Sequence, residues 1–109
     1  MLVDINKMLS SRVIYGIIDN ENKSIYIGLT KNQLITRLGQ HLDKNKTVKQ
    51  YIEKIKPSQL QVEILFQYKR NHKNLQKLLE NKEDFFLKKY HKLGYKLINI
   101  AKMKKLNLN

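Results

Sequence analysis

Two short runs of β-branched and aromatic residues, Val13 to Ile18 and Ser24 to Leu29, stand on either side of Asp19-Asn20-Glu21-Asn22-Lys23, a stretch of turn formers. Such runs suit a pleated, half-buried backbone, and the polar stretch between them lets the chain reverse, so the pattern predicts a β-hairpin. With 109 residues in all, there is room for a single domain, and every other element has to pack against this hairpin.

After the hairpin, Thr30 or Asn32 can cap a helix in which Leu34, Leu38 and Leu42 recur at four-residue spacing with Ile35 beside them. Arg37 and His41 fall on its other side, one turn apart, and read as two aligned cations facing something negative. A second helix is expected from Thr47 to Ile55, where Val48, Tyr51, Ile52 and Ile55 are periodic and Pro57 stops it. Leu60, Val62, Ile64, Phe66 and Tyr68 then alternate with Gln61, Glu63, Leu65 and Gln67, the period of a strand, with Leu65 alone spoiling the polar side.

From Asn71 or His72 to Leu93 the chain lacks Gly and Pro, and Leu75, Leu78, Leu79, Phe86, Leu87 and Tyr90 fit one long helix. Gly94 should end it in a left-handed cap. Tyr95 to Ile100 reads as a short strand or extended segment, and residues 101–109 as a basic tail. The expectation is therefore one α+β domain over residues 1–109, with a small, mostly antiparallel three-stranded sheet flanked by helices.

Charge narrows the function. Lys and Arg number 22 against 9 Asp and Glu, a formal +13, and the stretch from Lys69 to Lys105 holds most of the excess. That is the balance of a chain that meets polyanions, nucleic acid first. A hydrophobic share of 41% supports a core and argues against a flexible polycation. With no Cys, disulfides, thiolate zinc sites and a cysteine nucleophile are excluded. The N-terminus MLVDINKMLSSR has no unbroken apolar stretch, so a soluble cytoplasmic protein away from membranes is expected.

One constellation carries chemistry: Tyr15 and Tyr26 flanking the turn, Gly28 where a backbone or ligand can approach closely, Arg37 and His41, Glu83 and Asn99. Through Val13-Ile14-Tyr15, Tyr26-Ile27-Gly28, Arg37-Leu38-Gly39-Gln40-His41, Glu83-Asp84-Phe85-Phe86 and Gly94-Tyr95-Lys96-Leu97-Ile98-Asn99, in that order, the sequence resembles the GIY-YIG nuclease family. Lys46-Thr47-Val48-Lys49-Gln50-Tyr51 and the strand after it are similar to the catalytic domains of phage intron-homing members. Val13 stands where the family has its first glycine, a position that bears no reacting group.

The resemblance implies endonucleolytic hydrolysis of a DNA phosphodiester with one divalent metal, Mg²⁺ with Mn²⁺ as a substitute. It makes Glu83 the metal ligand and Tyr15 or Tyr26 the base for the attacking water, with the phenol's pKa, ordinarily ~10, lowered by nearby cations such as Arg37. Arg37 would hold the scissile phosphate, His41 would donate to it or assist proton transfer, and Asn99 would position one of these groups. Gly28, Lys31, Lys88 and Lys89 are expected to meet the DNA. His72 and His91 lack partners at metal-ligand spacing and read as surface residues. So little chain follows Asn99 that sequence recognition is expected from a homodimer, a separate specificity subunit or DNA structure, or to be weak. The alternatives are a catalytically silent nucleic-acid-binding module and a nuclease subunit active only with a partner.

Overall fold

A computed structural model of the protein describes residues 4–108; residues 1–3 of the N-terminal segment and Asn109 of the tail lie outside it. The elements in order are α1 (Ile5–Leu9), β1 (Val13–Asp19), β2 (Ser24–Thr30), α2 (Leu34–Lys44), α3 (Lys46–Lys54), a 3₁₀ turn at Pro57–Gln59, β3 (Leu60–Gln67), α4 (Leu75–Lys92), β4 (Lys96–Leu97) and α5 (Ile100–Lys105). No helix among the described residues is long and apolar enough to cross a membrane.

The hairpin forms as expected, β1 against β2 from Val13↔Thr30 to Asp19↔Ser24. Asp19 closes its turn, its Oδ1 accepting from the backbone N–H of Glu21 at 3.0 Å and its Oδ2 from the Asn22 side chain at 2.8 Å. β3 lies antiparallel on the other side of β1, which makes β1 the central strand and buries all seven of its residues. A strand covered on both faces has no polar side, hence the unbroken apolar character of Val13 to Ile18.

The sheet has four strands in the order β3-β1-β2-β4, and it is mixed rather than three-stranded, because β4 runs parallel to β2. The fourth strand follows from how α4 ends. Gly94 takes φ +87°, its N–H donates to the His91 carbonyl at 3.0 Å, and the Tyr95 N–H donates to the Tyr90 carbonyl at 3.0 Å. The Tyr90 and Tyr95 rings meet edge-on at 5.0 Å. This is a Schellman cap with its apolar clasp, and it turns the chain back along β2.

Leu65 also has a structural reason. The pairing runs Ile14↔Phe66 and then Tyr15↔Ile64, so Leu65 is an extra, bulged residue. The bulge moves β3 from one face to the other: Leu60, Val62 and Ile64 pack with Tyr15, whereas Leu65, Phe66 and Tyr68 pack with Ile14. What reads as one alternating strand is two half-strands that serve opposite layers.

Those layers are the helices. Val13, Tyr15 and Ile17 face Leu34 of α2 and Val48 of α3, and Ile14, Ile18, Ile25 and Ile27 face Leu75, Leu79, Phe86 and Leu87 of α4. Each such side chain withdrawn from water contributes about 1.5–3 kcal/mol. The ends differ from expectation. α1 is an added turn of helix held by Asp4 at its N-cap and by Lys7 Nζ donating to the Val62 carbonyl at 3.2 Å. The C-terminal stretch read as a tail contains α5, whose Met103 and Leu106, with Leu108 beyond it, pack on the α4 layer. α2 starts at Leu34 after Gln33, so neither Thr30 nor Asn32 is its cap. α4 starts at Leu75, a few residues later than expected.

Candidate active site

Tyr15 pairs with Gly28 and Ile17 with Tyr26 across the hairpin, so both tyrosines point to the face that α2 covers. Tyr15 is fully buried, and its ring lies across Gly28, where a Cβ would overlap Cζ and the hydroxyl. The Tyr15 ring, not an approaching ligand, therefore accounts for this glycine. Gly28→Ala is expected to destabilise the fold by about 1–3 kcal/mol, because a fully buried ring cannot step aside. Thermal denaturation checks this, and an unchanged Tm would show that the ring has room to move.

His41 comes from α2 onto the same spot. It is 1% exposed, and its Nε2 shares a hydrogen bond of 2.5 Å with the Tyr15 hydroxyl. The Tyr26 ring stands edge-on to it at 5.2 Å. Burial, and then the Arg37 charge one turn away, push its pKa down to about 4. His41 is thus neutral at physiological pH, which corrects the reading of two exposed cations side by side. Arg37 alone is the cation: its Nη1 donates to Gln40 at 3.2 Å, and its Nε is buried without a hydrogen-bond partner.

The phenols do not behave as the resemblance implied. Burial pushes Tyr15 well above the ordinary tyrosine range and Tyr26 above it too, and Arg37, which acts in the opposite direction, does not overcome the burial. Both hydroxyls stay protonated at neutral pH. Among the paired groups it is His41, the neutral base on Tyr15, that can receive a proton.

The lowered pKa of His41 has a consequence for stability. Between about pH 4 and 6.5 the unfolded chain binds a proton at this histidine that the folded chain does not, so stability falls as pH drops through that window. A loss of about 1–3 kcal/mol is expected, with the slope flattened in His41→Gln. Tm measured against pH for both proteins checks it, and identical slopes would reject a buried neutral His41.

Glu83 sits on the far layer, on the inner stripe of α4 with Leu75, Leu79 and Leu87. It is 6% exposed, and burial raises its pKa against the opposing pull of Lys102, whose Nζ is 3.1 Å from Oε1. The contact is an ion pair off the angle of a good hydrogen bond, so Oε1 has no well-aligned donor. Lys102, the partner of Glu83, also lines a cleft with Tyr26 and Asn99, and so links the α4 layer to the tyrosine side of the sheet. Among the described residues no three His, Cys, Asp or Glu side chains gather as a metal cluster. Any ion held by Glu83 would take most of its ligands from elsewhere.

Asn99 acts on the strand. Its Oδ1 accepts from the Ile27 N–H at 3.0 Å and its Nδ2 donates to the Ile27 carbonyl at 2.6 Å. One step earlier the Ile98 N–H donates to the Ile25 carbonyl at 3.0 Å, so the Asn99 amide continues the β4 ladder after the backbone has turned away into α5. It thereby fixes the segment between Tyr26 and Gly28.

Two clefts open beside these residues. One of about 330 Å³ is lined by Arg37, Gln40, His41, Lys44 and Lys46, and one of about 360 Å³ by Tyr26, Val48, Asn99, Ala101 and Lys102; Asn45 and Thr47 line both. Sequence reasoning missed Lys44, Lys46, Thr47 and Lys102. Lys102 could have been found by treating Asn99 as the start of a helix, which puts residue 102 on its first turn. Of the other expected contacts, Lys31 lines a separate cleft of about 430 Å³ with Arg12, His72 and Lys73, and Lys88 and Lys89 are exposed on α4.

The model of the GIY-YIG catalytic domain matches residues 11–96. The chain belongs to the GIY-YIG nuclease family. The match takes in Tyr15, Tyr26, Gly28, Arg37, His41 and Glu83 and ends before Asn99 and Lys102. Comparison with curated proteins and with solved structures gave no significant match. The GIY-YIG assignment implies nuclease activity and fits the α+β sheet with its helical layers.

Proposed function

We propose that this GIY-YIG protein is a divalent-metal-dependent DNA endonuclease that hydrolyses a phosphodiester bond by a one-metal mechanism. The observation that carries the reading is the 2.5 Å hydrogen bond between the buried Tyr15 hydroxyl and a neutral His41, with Arg37 beside them.

In this reading the Tyr15 O–H donates to His41 Nε2, and a lone pair of the phenol oxygen accepts the proton of the attacking water. As the water is deprotonated, the phenol's own proton passes to His41, so no standing phenolate is needed. That suits a phenol whose pKa burial has raised. Arg37, with an unpartnered Nε and lining the cleft, binds the scissile phosphate and offsets charge on its oxygens. Tyr26 walls the pocket against the His41 ring, and Asn99 holds the strand that carries it.

Glu83 suits a single hard cation. Its Oε1 is buried, lacks an aligned donor and already faces a positive charge. With one buried carboxylate at hand, the fitting ion is Mg²⁺, which keeps several waters of its own, or Mn²⁺ in its place. When bound, such an ion supplies Lewis-acid stabilisation of the phosphoryl oxygens and the leaving alkoxide. The excess of +13 favours a polyanionic substrate, with Lys44 and Lys46 at the cleft and Lys31, Lys88 and Lys89 farther out as backbone contacts. A silent binding module would have no use for a buried carboxylate amid so much positive charge.

The test is cleavage of supercoiled plasmid and of single-stranded DNA by the full chain with Mg²⁺, with Mn²⁺ and with chelator. Metal-dependent cutting is expected. Binding without cutting would overturn the catalytic reading in favour of the silent module or the partner-dependent subunit.

A further inference from the structure

Lys102 is the one charged group in the clefts to which the proposed chemistry gives no part. It stands on the first turn of α5, with Nζ 3.1 Å from Glu83 Oε1 and 4.0 Å from Asp84 Oδ1. Its own side chain is 32% exposed while that of Glu83 is 8% exposed, and it lines the cleft beside Tyr26 and Asn99. The buried carboxylate is thus covered by a cation with a short path to water.

A buried carboxylate needs a counter-charge to remain ionised. In a chain this basic any of many lysines could serve from the surface, yet the one that does reaches in from the cleft and takes the very oxygen that lacks another donor. An ammonium and a divalent ion cannot share Oε1: they would crowd one oxygen, and two like charges at that spacing in a partly buried site repel strongly. The lysine stem is flexible, and the one-third of it that reaches solvent gives it somewhere to go.

We propose that Lys102 is the exchangeable counter-ion of the Glu83 seat. It covers Oε1 from the cleft in the metal-free protein, leaves it when a divalent cation enters, and so sets the affinity of the site for metal. The inference rests on Glu83 being the metal ligand.

The experiment measures Mn²⁺ binding by electron paramagnetic resonance of the free ion, on the full chain without DNA, for the unaltered protein, Lys102→Gln and Glu83→Gln. Removing a competing cation from the metal seat favours the ion, so Lys102→Gln is expected to bind Mn²⁺ about three- to tenfold more tightly. Equal or weaker binding in Lys102→Gln, with binding lost in Glu83→Gln, overturns the counter-ion and leaves the metal seat standing. Binding insensitive to Glu83→Gln overturns the seat itself, and the counter-ion with it. Should Lys102→Gln fail to fold, lysine ammonium resonances of the unaltered protein decide. One signal sheltered from exchange should be lost on adding Mg²⁺, and its persistence overturns the proposal.

Discussion

Glu83→Ala is expected to leave a folded protein that binds DNA and no longer cuts it, with cleavage reduced by a factor of about 10³ or more. The fold should survive because burial already disfavours the charged form of Glu83, so its ionised side chain is no large source of stability. The Lys102 left behind is one-third exposed and can turn to water. Chemistry should not survive, because the variant loses the buried carboxylate proposed to hold the cation that would stabilise the phosphoryl oxygens. DNA affinity should be equal or higher, since a negative charge has left a surface that meets phosphates. Plasmid cleavage and a binding titration on the same preparation check both halves. Mg²⁺-dependent cutting retained by the variant would reject Glu83 as the metal ligand.

Tyr15→Phe separates the two tyrosines, which the sequence alone leaves as alternatives. The ring that covers Gly28 is kept and only the hydroxyl bonded to His41 is lost, so the stability change should stay near 1 kcal/mol. Cleavage should fall about 10²- to 10⁴-fold, the usual worth of a positioned proton-transfer group. Tyr26→Phe should cost much less, because the Tyr26 ring contacts His41 through its edge and no hydrogen bond joins them. Single-turnover cleavage rates of the two variants make the comparison. Equal losses would rule out the Tyr15–His41 relay as the route of the proton.

The likeness of expected and observed elements has a simple cause. Hairpin, middle helices, third strand and long helix were legible because each carries a local period or a local stop: turn formers at Asp19 to Lys23, Pro57 after α3, Gly94 after α4. Where the reading failed, the deciding contact was distant in sequence. Leu65 looked like a flaw in an alternating strand until its partners across β1 showed a bulge. The short segment after Gly94 was expected, but its place as a fourth strand parallel to β2 comes from the cap that aims it there, and α5 exists because Met103 and Leu106 find the α4 layer.

The site divides the same way. The residues Tyr15, Tyr26, Gly28, Arg37, His41, Glu83 and Asn99 could be named from ordered motifs, and an acid at the fourth-residue position between Leu79 and Leu87 is itself a local sign that Glu83 is no surface residue. Their states could not. A histidine read as an exposed cation becomes a buried neutral base, and phenols thought to be lowered by Arg37 are raised by burial. A tail lysine covers the buried Glu83 carboxylate. By itself the sequence determined the family, the order of the elements from β1 to α4 and the candidate site residues, because these are written in local spacing. Only the tertiary structure decided which groups are desolvated and which charge faces which, because burial and Coulomb interactions depend on distances between residues far apart in the chain.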